Sequence, residues 1–404
     1  MIQSARRGRG TTGTVTAAAT AATMAAALAA TTAAVAGGPS AHAPWPARFR
    51  LLALLAVVVL AAVLLPGAAP ARASVPGGER PAFTLAWTPY IGWAPWQVAE
   101  DAGIVRKWAD AHGITIDVVN AGSYLESLTD FSAGRYDAVT ITNMDAFARP
   151  PTDGGSMTAL VVGGFSRGND AIVARNARRL TDLKGRTVKL VMFSVSHYLL
   201  ARAMEKAGLS RSDISLMNLG EEELVSALAA DPDGVVVTWN PFLSQAAALR
   251  GATVLFDSAS LPGEILDLTV VHQDTLAANP ALGKALTAIW YETIALLTAD
   301  TPEGAAARTD LARIMATDSA GVQSQLGTTH LFRSPQEVSA FLLGDRFRGL
   351  TNRIISFVFQ QGLLGDVPSV DAVGVEMPDG QVDGNPGLVR LRFPLPMAEV
   401  AQSR

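Results

Sequence analysis

Five aromatic rings and four acids hold the chemical potential of this chain. Trp87, Tyr90, Trp93 and Trp96 share one ten-residue stretch, W-T-P-Y-I-G-W-A-P-W, and Trp239 stands beside Asn240 and Pro241. The acids are Asp145, Asp170, Glu264 and Asp267, and Asn143, Ser194 and His197 complete the set. Each lies close to a short run that reads as a β-strand, and no Lys or Arg stands among them. Carboxylates take N–H donors and aromatic faces attract positive charge, so the pattern suits a small delocalised cation. A pocket for nitrate, sulfonate or phosphate would supply Arg, Lys or bare helix N-termini. A cation taken out of water without a carboxylate is costly, so at least one of these acids must face it. Tyr90 and Trp93 are the rings expected to touch it first, with Trp96 anchoring the helix that follows.

Each residue also has a plainer role. Tryptophan is mostly a burial residue, so Trp87–Trp96 also suits core packing at a domain edge. Asp145 suits the cap of a short helix, and Ser194 and Ser196 are natural N-caps. Glu264 and Asp267 suit surface charges at a hinge, and His197 suits a structural hydrogen bonder in a first helical turn. Catalytic patterns are sparse. The chain has no G-x-S-x-G elbow, glycine-rich phosphate loop or H-E-x-x-H. Its five histidines are scattered, with no pair at metal-ligand spacing on one helix. A hydrolase using Glu264 and Asp267 is the reading that two acids alone allow. No catalytic residue, metal or cofactor is expected.

The elements that must position this set alternate in type. Phe83–Ala86, Ile114–Val119, Ala138–Ile141 and Leu160–Gly164 read as strands, with helices over Trp93–Gly103 and after Ser123, which has Glu126 three residues on as a capping box wants. A second set has strands at Thr187–Met192, Ile214–Met217, Val235–Thr238 and Thr253–Phe256, with helices between. Leu268–His272 is a further strand. Long helices follow over Pro280–Ala299, Pro302–Met315, Ala320–Gly327, Pro335–Leu343 and within Leu350–Gly362, and a last short strand is Leu388–Phe393. Strand–helix alternation predicts an α/β fold with mainly parallel sheets. Two such sets predict two α/β lobes, one inserted into the other, joined by a two-strand hinge crossing near Ile172 and Val270. In open sheets ligands sit outside the carboxyl ends of the strands, which brings the aromatic and acidic residues to one cleft between lobes.

Composition narrows the class. The chain has 404 residues and no cysteine, which excludes disulfides, thiolate metal sites and a lipid-modified cysteine. Residues 1–73 carry six arginines and no acid; without them 26 basic residues face 36 acidic ones, a net charge of −10. An acidic chain without a basic block argues against nucleic acid as partner. Residues 1–44 are a low-complexity run of Ala, Thr and Gly. Arg48 and Arg50 then precede fifteen apolar residues, Leu51–Leu65, and Ala71-Arg72-Ala73. That order describes a secretory signal peptide cleaved near Ala73, and the run is shorter than the ~20 residues of a membrane span. The expected division is 1–73 as leader and signal, 74–170 as the first part of lobe 1, 171–268 as lobe 2, and 269–404 as the return to lobe 1.

Several strings together resemble a known family. W-T-P-Y-I-G-W-A-P-W at Trp87–Trp96, T-N-M-D-A from Thr142, G-N-D from Gly168, S-V-S-H-Y-L-L-A-R-A from Ser194, V-T-W-N-P from Val237 and P-G-E-I-L-D-L from Pro262 are similar to solute-binding proteins of nitrate/sulfonate/taurine-type ABC importers. They look most like the urea-carboxylase-associated branch, which is associated with urea and guanidine. The likeness runs from about Phe83 to Phe393. It implies a type II periplasmic-binding-protein fold, an exported monomer in the periplasm or cell-envelope space, and delivery of a small nitrogenous solute to a membrane permease. Guanidinium is the solute favoured by the acids, and urea or another small amide or sulfonate-type solute is the alternative. Because thiamine-precursor enzymes share this fold, an enzyme using His197 is the competing class.

Overall fold

The computed structural model describes residues 80–396; the leader, the signal peptide and the cleavage near Ala73 lie outside the described residues. The first strand is β1 (Ala82–Trp87), and the aromatic stretch leaves it for α1 (Pro95–Asp101) and α2 (Ile104–Ala111). The helix expected over Trp93–Gly103 does stop at Gly103, which sits between the two at φ 72°, a backbone state that glycine adopts without strain; the second helix is additional. Next come β2 (Thr115–Asn120), α3 (Tyr124–Ser132), β3 (Ala138–Thr142), α4 (Asn143–Ala148) and β4 (Met157–Ser166). Ser123 caps α3 by accepting from the Glu126 N–H, as the sequence predicts.

The second set is β5 (Asp170–Arg175), β6 (Thr187–Leu190), α5 (Val195–Ala207), β7 (Ser215–Asn218), α6 (Leu224–Ala230), β8 (Val235–Trp239), α7 (Phe242–Ala247) and β9 (Ala252–Asp257). After β10 (Leu266–His272) and α8 (Gln273–Ala278) come the long helices α9 (Pro280–Thr298), α10 (Pro302–Ile314) and α11 (Ser319–Gly327). The remaining elements are β11 (Thr329–Leu331), α12 (Pro335–Leu342), α13 (Asp345–Gln360), β12 (Gly374–Glu376), β13 (Val382–Gly384) and β14 (Val389–Arg392). Pro95, Pro280, Pro302 and Pro335 each open their helix, where a missing N–H costs nothing.

The strands form two sheets. The larger runs β13-β12-β14-β4-β10-β3-β1-β2 with β11 on β4, and the smaller runs β7-β6-β8-β5-β9. Both are mixed rather than mainly parallel. β10 lies antiparallel between β3 and β4, and β5 lies antiparallel between β8 and β9. The reason is directional: each of these strands enters its sheet from the other sheet, and so runs against its neighbours.

The chain passes between sheets twice, over residues 167–169 and 258–265. Ile172 and Val270, the expected crossings, sit inside strands instead, third in β5 and fifth in β10, because Ala171–Ala174 and Asp267–Val271 are buried on both faces and pair on both sides. The two links lie side by side. Ser166 and Ser258 share a hydroxyl hydrogen bond of 2.6 Å, and the Gly168 N–H donates to the Ser258 hydroxyl at 2.7 Å. On the larger sheet, α9 packs on α1 and α2, and the rings of Trp96 and Trp290 meet at 5.4 Å. Among the described residues no helix is long and apolar enough to cross a membrane.

Candidate functional site

A cavity of about 140 Å³ opens where the two sheets present their strand ends. Six strands deliver residues at their carboxyl ends, β3 with its last residue, Thr142. Thr88, Pro89, Tyr90 and Trp93 follow β1, Tyr124 follows β2, Ser194 and Val195 follow β6, and Glu221 and Glu222 follow β7. Trp239 closes β8 and is followed by Pro241 and Phe242. The two reversed strands deliver their beginnings: Asp170 opens β5, and Asp267 is second in β10, two residues after Ile265. Both sheets therefore aim at one space, and the antiparallel strands carry its two deepest acids.

Asp170 and Asp267 are 3% and 2% exposed, so nearly all their hydration is gone. Burial pushes Asp170 up to about 6. Burial, and then the Asp170 charge, push Asp267 well above the usual carboxylate range. The Tyr90 hydroxyl donates to Asp267 at 3.3 Å, which relieves part of that cost. Gly92 makes the approach possible. A Cβ there would lie 2.6 Å from Tyr90 Cε1 and 2.7 Å from Asp267 Oδ2, so the glycine of the aromatic stretch is a space requirement of this wall. Rings continue the wall: Trp93 stacks on Tyr124 at 5.3 Å and 25°, and Tyr124 meets Trp239 edge-on at 6.4 Å. At the mouth, the Glu221 carboxylate accepts from the Tyr124 N–H at 3.4 Å. Among the described residues four carboxylates line the cavity, and no Lys, Arg or His does.

Six of the residues that the sequence points to line this cavity: Tyr90, Trp93, Asp170, Ser194, Trp239 and Asp267. The others lie outside its lining, each for a local reason. Trp87 and Trp96 are buried in the core, their indole N–H groups donating to Gln97 and Thr269. Asn143 spends its side chain on the backbone, donating to the Glu264 carbonyl and accepting from the Met144 and Leu266 N–H groups. Asn240 Oδ1 accepts from the Ser244 N–H and hydroxyl at the start of α7. Asp145, fully buried, accepts from Tyr124 at 2.9 Å and Thr142 at 2.8 Å, so it holds the ring of Tyr124 in the wall from behind. Its pKa is raised by burial, against which Arg149 and the two hydroxyls act.

His197 packs between the rings of Phe193 and Phe357, and burial, helped by the Arg211 charge, lowers it to about 4. Glu264 turns away to Arg202 and Tyr198. Tyr124, Glu221, Glu222 and Phe242 are among the lining residues that the sequence does not single out. The first three stand just past strand ends, and the rule that found Tyr90 applies equally to them.

Comparison with known proteins places this geometry. Residues 77–316 match the model of the NMT1-like family. Among solved structures, the chain is similar to the periplasmic aliphatic sulphonate binding protein SsuA from Escherichia coli, at 20% identity over 72% of this chain and 95% of that one, with a TM-score of 0.59. It is also similar to the CA3427 gene product of Candida albicans, described as having the generic periplasmic binding protein structural fold, at 13% identity over 72% and 93% with a TM-score of 0.55. The periplasmic nitrate-binding protein NrtA from Synechocystis PCC 6803 is similar at 13% identity over 72% and 84%, with a TM-score of 0.52. The architecture is the periplasmic-binding-protein fold. No curated protein sequence matches the chain.

Proposed function

Because the chain belongs to the NMT1-like family, we propose that it is an exported solute-binding protein of an ABC importer, and that its cleft captures guanidinium for a membrane permease. The observation that carries this reading is the charge of the cavity: Asp170, Asp267, Glu221 and Glu222 line it without a single basic residue. An anion there would face four carboxylates and no counter-charge. A planar cation would give its N–H groups to the acids and its faces to Trp93, Tyr124 and Trp239. The size agrees. A cavity of about 140 Å³ is close to the ~150 Å³ that accommodates benzene, which suits a solute of roughly six heavy atoms or fewer.

Urea is the second reading, favoured by one observation. Trp93 lines the cavity, and its buried indole N–H has no acceptor, which a carbonyl oxygen would supply. The enzyme reading needs His197 in the cleft, and that ring lies elsewhere. Isothermal titration of the protein with guanidinium, urea, taurine and nitrate at pH 7.5 and low salt separates these classes. Guanidinium is expected to bind and to be recovered unchanged, with urea weaker and both anions silent. Binding of taurine or nitrate alone would overturn the proposal.

A further inference from the structure

Glu264 stands one residue before Ile265 of the cavity wall, yet its carboxylate faces another partner. We propose that Glu264 is a positioning residue that clamps α5 to the larger-sheet half and so holds the cleft closed around its solute. Its backbone belongs to the larger half: the Glu264 carbonyl accepts from Asn143 Nδ2 at 3.0 Å, and Asn143 Oδ1 accepts from the Leu266 N–H at 3.1 Å. Its side chain belongs to the smaller half. Arg202 of α5 donates from Nε at 2.8 Å and from Nη2 at 3.1 Å, one to each oxygen, and the Tyr198 hydroxyl donates at 2.6 Å.

The pair is enclosed, with side chains 11% exposed for Arg202 and 8% for Glu264. Burial pushes the Glu264 pKa up, but the bonds from Arg202 and Tyr198 outweigh it and hold the carboxylate below its usual range. The three hydrogen bonds are charge-assisted, and such bonds are about twice as strong as neutral ones, which favours the clamped arrangement. A second contact acts in the same sense. Phe357 of α13, in the larger half, meets the rings of His197 and Tyr198 edge-on at 5.4 and 5.3 Å. The first turn of α5 carries Ser194 and Val195 to the cavity, while Ile265 and Asp267 follow Glu264. Releasing α5 from Glu264 therefore draws one wall of the cavity from the other.

The effect on solute release rests on reading the cavity as a solute site, whereas the effect on geometry does not. The chain contains no cysteine, so Glu126→Cys on α3 and Ala230→Cys on α6, both exposed, can carry one spin label in each half with nothing else labelled. In the solute-free protein, pulsed dipolar spectroscopy is expected to show one short distance, and Glu264→Gln to shift it to a longer, broader distribution. Glu264→Asp should restore part of the short population, and Tyr198→Phe should give a milder shift if Glu264→Gln folds poorly. By stopped flow, guanidinium is expected to dissociate roughly tenfold faster from Glu264→Gln, the loss of about one charged hydrogen bond, with its association rate changed less than about twofold. An unchanged distance distribution in folded Glu264→Gln and Tyr198→Phe would overturn the clamp. A wild-type protein that ignores guanidinium would overturn the solute reading instead, and the spin-label distances would still decide the clamp.

Discussion

Asp267→Asn is expected to weaken guanidinium binding by about 3 kcal/mol, roughly 150-fold, while the protein stays folded. Asp267 is the deepest carboxylate at the cavity, 2% exposed, with the Tyr90 hydroxyl as its hydrogen-bond donor and no basic side chain against it. A cation bound there would be the charge partner that the fold omits. The carboxamide keeps the shape but gives up the negative charge, and its NH₂ is one more donor facing a solute made of donors. Glu222 at the exposed rim works in water, so Glu222→Gln should cost only a few-fold and less still at high salt. Calorimetric titration of both variants reads the contrast. Equal affinities for Asp267→Asn and wild type would remove Asp267 from the site.

The second large effect is on the solute-free protein, with the opposite sign. Asp170→Asn is expected to stabilise it by up to about 3 kcal/mol at pH 7.5 while weakening solute binding. The folded value of Asp170, about 6, stands above its ordinary 3.8. Below pH 3.8 both folded and unfolded chains hold the proton, and the group costs nothing. Between 3.8 and 6 the unfolded chain ionises first, so stability from this group falls as pH rises, and above 6 the full cost of two pKa units remains. Asparagine removes that cost, so the gain should appear in denaturant melts at pH 7.5 and vanish near pH 4. Solute affinity in the wild type should run the other way, rising with pH through about 6 as protons leave the site for the cation. Destabilisation by Asp170→Asn at pH 7.5 would contradict this account of the buried pair.

Much of the frame was legible because strand and helix periods are local properties. Phe83–Ala86, Ala138–Ile141 and Val235–Thr238 fall inside β1, β3 and β8, whose runs are largely buried. Proline-opened helices were legible for the same reason. β5 and β10 were harder. An apolar run does not report its direction, so their reversal, and with it the placing of the links at 167–169 and 258–265, appears only in the paired sheets.

The site divides along the same line. Position after a strand end was readable and gave Tyr90, Trp93, Ser194 and Trp239 a place at the cavity. Side-chain direction was not. Asp145 and Glu264 stand next to lining residues, but their carboxylates are taken by Tyr124 and Thr142 in one case and by Arg202 and Tyr198 in the other. Acid type and spacing look alike for a carboxylate that meets a solute and one that holds a wall in place. What separates them is how far the chain's own donors occupy the carboxylate: one hydroxyl at 3.3 Å reaches Asp267, whereas Asp145 and Glu264 each take two or more shorter bonds.

The most direct test of the central claim is a crystal structure of the protein grown with guanidinium. A planar ion lying against the rings of the cavity, within hydrogen-bond distance of both Asp170 and Asp267, is the predicted result. An anion in that cavity, or guanidinium bound only elsewhere, would contradict it.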